Sequence, residues 1–403
     1  MIELNKYKLG DLGFFFGGVT SIKKEDYGHG TPFLPYKNVY KNSKVNVNEL
    51  ELMNVRPLDL DRRSGIYGDL FFTASSETPD EVAMSSVLLD EVENLTYNGF
   101  CKRFRLNDFN TLLPEYARYL FRDISFRREV YNKATGDIRF NISQESLASI
   151  EIEIPDLPTQ KEIAQILTSL DDKIELNLQM NQTLETMAQA IFKEWFVNFN
   201  FPGFDGELVD GLPKGWRMGK LGEICSNIRV SFNPNRDEIE TNYIGLEHIP
   251  RRSIMLSDWG LSADINSQKS QFVKGDILFG KLRPYFHKVI IAPFDGICST
   301  DILVVRAKEH NHQFYSYFHL FSDDCISYSN SHSDGTRMPR VNWNSLSNFE
   351  IPIPSKDVLN QFQETIFPIF EKVYSSIFEN QSLTQTRDTL LPKLMSGKIK
   401  IAL

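Results

Sequence analysis

The stretch from Gln160 to Phe196, QKEIAQILTSLDDKIELNLQMNQTLETMAQAIFKEWF, decides the fold of this chain. Its core-type residues alternate spacings of four and three: Ile163, Leu167, Leu170, Ile174, Asn177, Asn181, Leu184, Ala188, Ile191 and Trp195. That is a heptad seam. No Gly or Pro interrupts it, and Glu162, Lys173, Glu175 and Glu194 fall off it. The spacing predicts a rod of roughly 55 Å at 1.5 Å per residue. Adding 199 to each position gives Phe362, Ile366, Ile369, Val373, Ser376, Asn380, Leu383, Arg387, Leu390 and Leu394, a second seam near the C-terminus.

Working outward, the text before each seam repeats as well. Asn181-Gln182-Thr183-Leu184 lies over Asn380-Gln381-Ser382-Leu383, and Gly136, Leu147, Ile152, Ile154 and Pro155 map onto Gly335, Leu346, Ile351, Ile353 and Pro354. Further upstream the offset drifts, with Gly68-Asp69-Leu70-Phe71-Phe72 over Gly275-Asp276-Ile277-Leu278-Phe279, and Lys8 to Leu12 over Lys220 to Ile224. Each half therefore reads as a globular unit followed by one long helix. A long helix with an apolar seam is not stable alone in water, and the only equally long partner is its own copy. The expected fold class is α+β: two α/β globular domains joined by two long antiparallel coiled-coil helices, with an internal pseudo-twofold repeat. Asn177, Asn181, Ser376 and Asn380 should form a polar layer that fixes register, with the globular units at opposite ends of the pair.

At 403 residues there is room for two cores. The net charge of −9 speaks against a uniformly basic nucleic-acid binder. Residues 156–200 alone hold three lysines against seven acids, however, so a local basic surface stays possible. The N-terminus lacks the layout of a secretion signal, and no apolar run approaches the ~20 residues of a membrane span, so a cytoplasmic protein without membrane contact is expected. Cys101, Cys225, Cys298 and Cys325 are widely spaced with no C-x-x-C. Cys101 and Cys298 are aligned by the repeat and read as strand packing, with no metal site expected.

In chain order, the boundaries expected are 1–155 for the first globular domain, 156–199 for the first long helix, 200–355 for a linker and the second globular domain, and 356–403 for the second long helix. Short apolar runs at GDLFFTAS, MSSVLLDEV, NGFCKRFRL and ASIEIEI, and later at NYIGLEHI, GDILFG, HKVIIAP and TDILVVRA, predict strands. One helix is expected over Pro114–Tyr131, with Arg118, Arg122, Arg127 and Arg128 on a solvated face. A second is expected in HQFYSYFHLFSD. Thr159 is the expected cap of the first long helix, and Pro392 is expected to kink the end of the second.

These segments resemble the DNA-specificity (S) subunit of type I restriction-modification enzymes over nearly the whole chain. The residues that carry the resemblance are the pre-helix segments ending in Ile154-Pro155 and Ile353-Pro354, MAQAIFKEWF at 187–196, LPKGWRMGKLGEI at 212–224, and TRDTLLPKLMSGKI at 386–399. The resemblance implies two domains that each read half of a split double-stranded DNA site, and no catalytic activity or cofactor. It also implies docking of two adenine-N6 methyltransferase subunits and, through them, of ATP-driven restriction subunits. The matching segments FFTASSETPDEVAM at 71–84 and LFGKLRPYFHKV at 278–289 differ, Lys281 and Arg283 standing over Ala74 and Ser76, so an asymmetric target is expected.

Enzyme chemistry is not legible. Asn233-Pro234-Asn235-Arg236 lacks the second proline and the aromatic that would grip a flipped base. No phosphate-loop motif is present, and Pro79-Asp80 and Pro155-Asp156 have no Glu-x-Lys partner downstream. Histidines, His310 and His312 included, read as solvated or hydrogen-bonded. What remains are basic clusters fit for phosphates and guanine edges. The expected DNA-binding residues are Ser75, Ser76, Arg103, Lys133, Thr135, Arg139, Arg251, Lys281, Arg283, Tyr285, Arg337 and Arg340, centred on the loops TGDIR and DGTRMPR. Helix pairing is assigned to Ile163, Leu170, Asn181, Leu184, Phe362, Ile369, Asn380 and Leu383. Two other readings stand beside this one: a coiled-coil scaffold without DNA recognition, and an enzyme with an unrecognised methyltransferase or nuclease site.

Overall fold

The computed structural model describes residues 3–20, 22–233 and 240–399, so Pro234, Asn235 and Arg236 of the methyltransferase-like tetrapeptide lie outside the described residues. The chain divides into two compact units, Met1–Asp172 with Leu383–Leu403, and Lys173–Ser382. Both long helices, Leu157–Phe196 and Lys356–Met395, therefore contribute to both units.

In the first unit an antiparallel sheet runs in the order Gly13–Gly17, Cys101–Leu106, Leu70–Thr73, Ser85–Val87. One core packs Phe72, Phe104, Phe121 and Phe126 with Ile163, Leu167 and Leu394 of the long helices. The second unit repeats the order with Cys225–Ile228, Ile302–Ala307, Ile277–Gly280 and Val289–Ile291; it also has a five-stranded sheet, and the first unit a three-stranded one. The strand that feeds each long helix pairs with the strand opening its unit in matching register, Asn5 opposite Ile154 and Arg217 opposite Ile353.

The repeated Gly-Asp before the central strand is a structural device. Gly68 and Gly275 take φ of +84° and +92°, where a Cβ is disfavoured. The aspartates that follow are buried and accept paired hydrogen bonds from Arg105 (2.8 and 2.7 Å) and Arg306 (2.6 and 2.7 Å) on the neighbouring strand. The cysteine alignment needs correction. The sheet order matches Cys101–Leu106 with Ile302–Ala307, whereas Cys298 ends a strand of the five-stranded sheet, so the two thiols are not equivalent. All four cysteines are buried and free, and burial pushes the Cys298 thiol up to about 12.

The helix expected over Pro114–Tyr131 is two helices, Pro114–Leu120 and Ile124–Lys133, because Asp123 caps the second by accepting from Ser125 N (2.9 Å). Its arginines are not a solvated face. Arg118 is buried against Asp171, Arg122 donates to the carbonyls of Val39, Tyr40, Asn42 and Ser85, and Arg127 donates to Asp80 and Val82. Burial lowers the Arg122 guanidinium to about 10. Arg128 alone of the four is exposed. The cap of the first long helix is Asp156, whose carboxylate accepts from Thr159 N (3.2 Å), in place of the expected Thr159. The second long helix continues through Pro392 to Met395.

Antiparallel pairing of the helices is visible within each unit. In the second, Trp195 and Phe196 pack on Phe362 at 5.6 and 4.8 Å, while toward the opposite ends of these segments Asn177 Nδ2 donates to Asn380 Oδ1 at 2.8 Å. Asn380 returns a bond to the Ile174 carbonyl (3.4 Å), and Asn181 and Ser376 are buried nearby in sequence. In the first, Asp171 meets Arg387 at 2.8 Å. Of the other pairing residues, Ile163 and Phe362 are fully buried, whereas Leu170, Leu184, Ile369 and Leu383 are half-buried. The seam drifts because an α-helix turns in 3.6 residues and not 3.5. Glu185 and Phe192 are buried where the strict heptad places Leu184 and Ile191.

Buried Glu185 accepts from Ser253 Oγ (2.9 Å), Ile254 N (3.1 Å) and Gln189 Nε2 (3.2 Å), and so ties the 251–256 segment to the helix. Desolvation raises its pKa above the ordinary glutamate value. A raised acid contributes stability that is full below the unfolded value and is lost as pH rises through the folded one. Glu185→Gln keeps the acceptor for Ile254 N, so it is expected to leave the melting temperature unchanged or higher at neutral pH and to flatten its pH dependence. Glu185→Ala strands buried donors and should cost about 1–3 kcal/mol in a denaturant melt.

Candidate nucleic-acid interface

Before each long helix lies a short loop closed by a two-residue bridge. Thr135 exchanges both backbone bonds with Asn141 (2.9 and 2.8 Å), and Asp334 does the same with Arg340 (2.9 and 2.9 Å). Gly136 and Gly335 sit at φ of +131° and +92° just inside the bridge, which lets the chain turn back on itself. Thr135, Arg139 and Arg337 are exposed at these tips.

Each loop base is joined to the segment that differs most between the halves. Phe140 and Asn141 pair with Ser76 and Ser75, and Ile142 N donates to Ala74 O (3.1 Å). In the second unit Arg283 N donates to Pro339 O (2.7 Å) and Val341 N to Lys281 O (3.1 Å). The register aligns Ala74 with Lys281 and Ser76 with Arg283, as the sequence repeat does. The two stretches singled out separately in the sequence thus form one continuous surface in each unit.

In the second unit this surface is basic and aromatic. A groove of about 770 Å³ at the loop base is lined by Arg229, Lys269, Lys281, Asp334, Met338 and Arg340 among others. Arg340 is already paired with Asp301 (3.0 Å). Alongside, Arg251 lies 4.0 Å over the Phe286 ring, with Arg283 at 6.0 Å from the same ring and Tyr285 half-exposed. In the first unit Ser75 and Ser76 are half-buried and Lys133, also half-buried, lines a separate cleft of about 640 Å³ with Lys6, Arg128 and Glu129.

One expected contact is overturned. Arg103 is buried at 3% exposure, donates to the Ser64 carbonyl (2.5 Å) and lies over Phe16, so its guanidinium supports the sheet and cannot reach a ligand. Strand alternation is the cause: KRFRL puts Arg103 and Arg105 on one face with Asp69. Three residues outside the expected set stand at this surface. Ile138 (88% exposed) and Met338 (46%) stand beside the tip arginines, and exposed Arg229 edges the groove. An apolar residue left bare on a loop tip beside an arginine was the available signal for the first two.

A family model described as type I restriction modification DNA specificity domain matches residues 1–186 and 213–386. The chain belongs to this family. Relatives within the type I specificity subunits include the HindI specificity subunit of Haemophilus influenzae, 29% identical over 72% of this chain and 78% of the relative. The MjaIX specificity subunit of Methanocaldococcus jannaschii is 27% identical over 98% and 93%. The crystal structure of the type I restriction-modification S subunit from M. genitalium shares the fold, with a TM-score of 0.63 at 16% identity over 98% of this chain and 96% of that one. Among the described residues of this family member, no helix is long and apolar enough to cross a membrane.

Proposed function

We propose that this chain is the non-catalytic DNA-specificity subunit of a cytoplasmic type I restriction-modification complex, reading an asymmetric two-part site in double-stranded DNA. The observation that carries the reading is the matched pair of bridged loops, each zipped at the same register to a segment of different chemistry: Ala74-Ser75-Ser76 in one unit, Lys281-Leu282-Arg283 in the other. Equivalent placement with unlike side chains is what two half-sites of different sequence require. Arg139, Arg337, Lys281, Arg283, Arg251 and Tyr285 are the contacts assigned, with Arg229 added and Arg103 withdrawn. Ile138 and Met338 suit the methyl groups of thymine.

Two methyltransferase subunits are assigned to the paired long helices, with restriction subunits held through them. Leu176, Met187 and Phe378, exposed on those helices, are apolar surface for that contact. The test is methylation mapping by long-read sequencing in cells carrying this chain and its methyltransferase partner. A split motif with two different halves is expected. Methylation without a split motif rejects the reading, and S-adenosylmethionine binding by the isolated chain favours an enzyme instead.

A further inference from the structure

The turn Lys281–Lys288 is held in a conformation its own residues disfavour. Its single 3-10 turn, Pro284–Phe286, is bracketed by Arg283 (φ 50°, ψ 64°) and His287 (φ 52°, ψ 58°), both left-handed, and Arg252 beside it has φ of 52°. Non-glycine residues stay in that region only where their surroundings impose it, and such positions gather at functional sites. The imposing contacts converge on His287. Its ring is buried at 3% exposure, Nε2 lies 2.7 Å from the Phe321 carbonyl, and the ring meets Phe321 edge-on at 4.7 Å. Its amide donates to Pro284 O (2.8 Å) and its carbonyl accepts from Arg252 N (2.9 Å). One side chain thus pins the turn to the end of the helix Gln313–Phe321, while its backbone ties the turn to the Arg251–Arg252 segment.

We infer that His287 is a positioning residue for DNA recognition by the second unit, holding Arg251, Arg283 and Tyr285 in the arrangement that meets the bases. The inference rests on the DNA-reading function proposed above. His287 touches no base itself: it sits beneath the turn, while Arg251 and Arg283 flank Phe286 and Tyr285 projects outward. The other edge of the turn is tied to the Arg337 loop through Arg283 N and Pro339 O. A shift at His287 therefore moves both parts of that unit's reading surface.

The chemistry gives a second readout. A carbonyl partner requires Nε2 to carry the hydrogen, leaving Nδ1 bare, and Nδ1 has no hydrogen-bond partner among the described residues. The charged groups facing it are Arg252 and Asp323, which pair with each other at 2.9 Å, Asp323 lying 3.6 Å from Nδ1. Burial, together with Arg252, pulls the imidazole below the ordinary histidine value, against the Phe321 carbonyl and Asp323. With the folded value depressed, the unfolded state takes up the proton first. The hold of His287 is complete above about pH 6.5 and weakens as pH falls through the folded value.

The experiment compares wild type, His287→Ala and His287→Gln, each as the full chain assembled with its methyltransferase partner, and reads base preference at both half-sites. Gln is chosen because its side-chain amide can still donate to the Phe321 carbonyl. Preference at one half-site should fall about tenfold in His287→Ala, with the other half-site unchanged, and should return in His287→Gln. As pH falls from about 7.5 through the depressed folded value of His287, wild type should lose preference at that half-site alone, while His287→Gln should not. Should His287→Ala fail to fold, the pH comparison of wild type with His287→Gln decides. Wild-type preference in His287→Ala, equal loss at both half-sites, or equal pH profiles for wild type and His287→Gln each overturn the inference. A wild-type complex with no split motif overturns the DNA-reading function itself, a result distinct from any of these.

Discussion

Asp171→Ala is expected to destabilise the first unit by about 3–5 kcal/mol in a denaturant or thermal melt, because it leaves the Arg118 guanidinium without its counter-charge in a mostly dry site and strips Arg387 of one of its two carboxylate partners, Asp388 being the other. Asp171 Oδ2 accepts from Arg118 Nη2 and Tyr119 Oη, both at 2.8 Å, and Oδ1 accepts from Arg387 Nη1 at 2.8 Å. The side chains of Arg118 and Asp171 are only 10% and 11% exposed, so water cannot replace the lost partner. Neighbouring Asp172 is exposed, and Asp172→Ala should stay within about 0.5 kcal/mol of wild type. The triple change Asp171→Leu, Arg118→Met, Arg387→Met should recover most of the loss, since removing a whole buried ionic cluster costs less than breaking it. A melt for Asp171→Ala indistinguishable from that of Asp172→Ala would show that solvent already screens the cluster.

This network marks where the repeat ends. The residue 199 positions after Asp171 is Phe370, and the one 199 before Arg387 is Ala188; both are fully buried in the apolar core of the second unit. At this step of the repeat the first unit places an ionic cluster and the second places apolar side chains. The seam was legible in the sequence because hydrophobic period depends only on local spacing, and Asn177–Asn380 was legible because a polar step recurred at the same place in both helices. Arg118, Arg122 and Arg127 were not, since a helix period shows which side a residue occupies but not that Asp171, or the carbonyls of residues 39–42, wait there. Glu185 fell off the strict heptad and was passed over, though 3.6-residue drift brings it into the core. At the interface, the alignment of Ala74 with Lys281 and of Ser76 with Arg283 was legible in the repeat offsets, whereas the joining of 74–76 to 140–142 depended on strand pairing between distant segments and the burial of Arg103 on which sheet face carried Asp69.

Arg139→Ala and Arg337→Ala are each expected to lower preference at one base position by roughly tenfold or more, in different half-sites of the methylated motif. The bridged loops place them comparably, but not identically. The 199-residue offset sets Arg337 over Ile138 and Arg139 over Met338, so the arginine and its apolar neighbour exchange places between two loops of the same closure. A guanidinium advanced by one residue on one tip meets a different base or a different edge, and the apolar side chain beside it takes the vacated position. Exchanging the order to Arg-Ile at 138–139 should therefore alter the bases read in one half-site while leaving overall DNA affinity within a few-fold. The alternative role is a phosphate clamp. Either alanine variant would then weaken binding evenly across sequences and reduce the salt slope by about one. Unchanged affinity together with an unchanged methylation pattern in the double variant would place recognition on Ser75-Ser76 and Lys281-Leu282-Arg283, leaving the tips as the clasp that holds those segments in register.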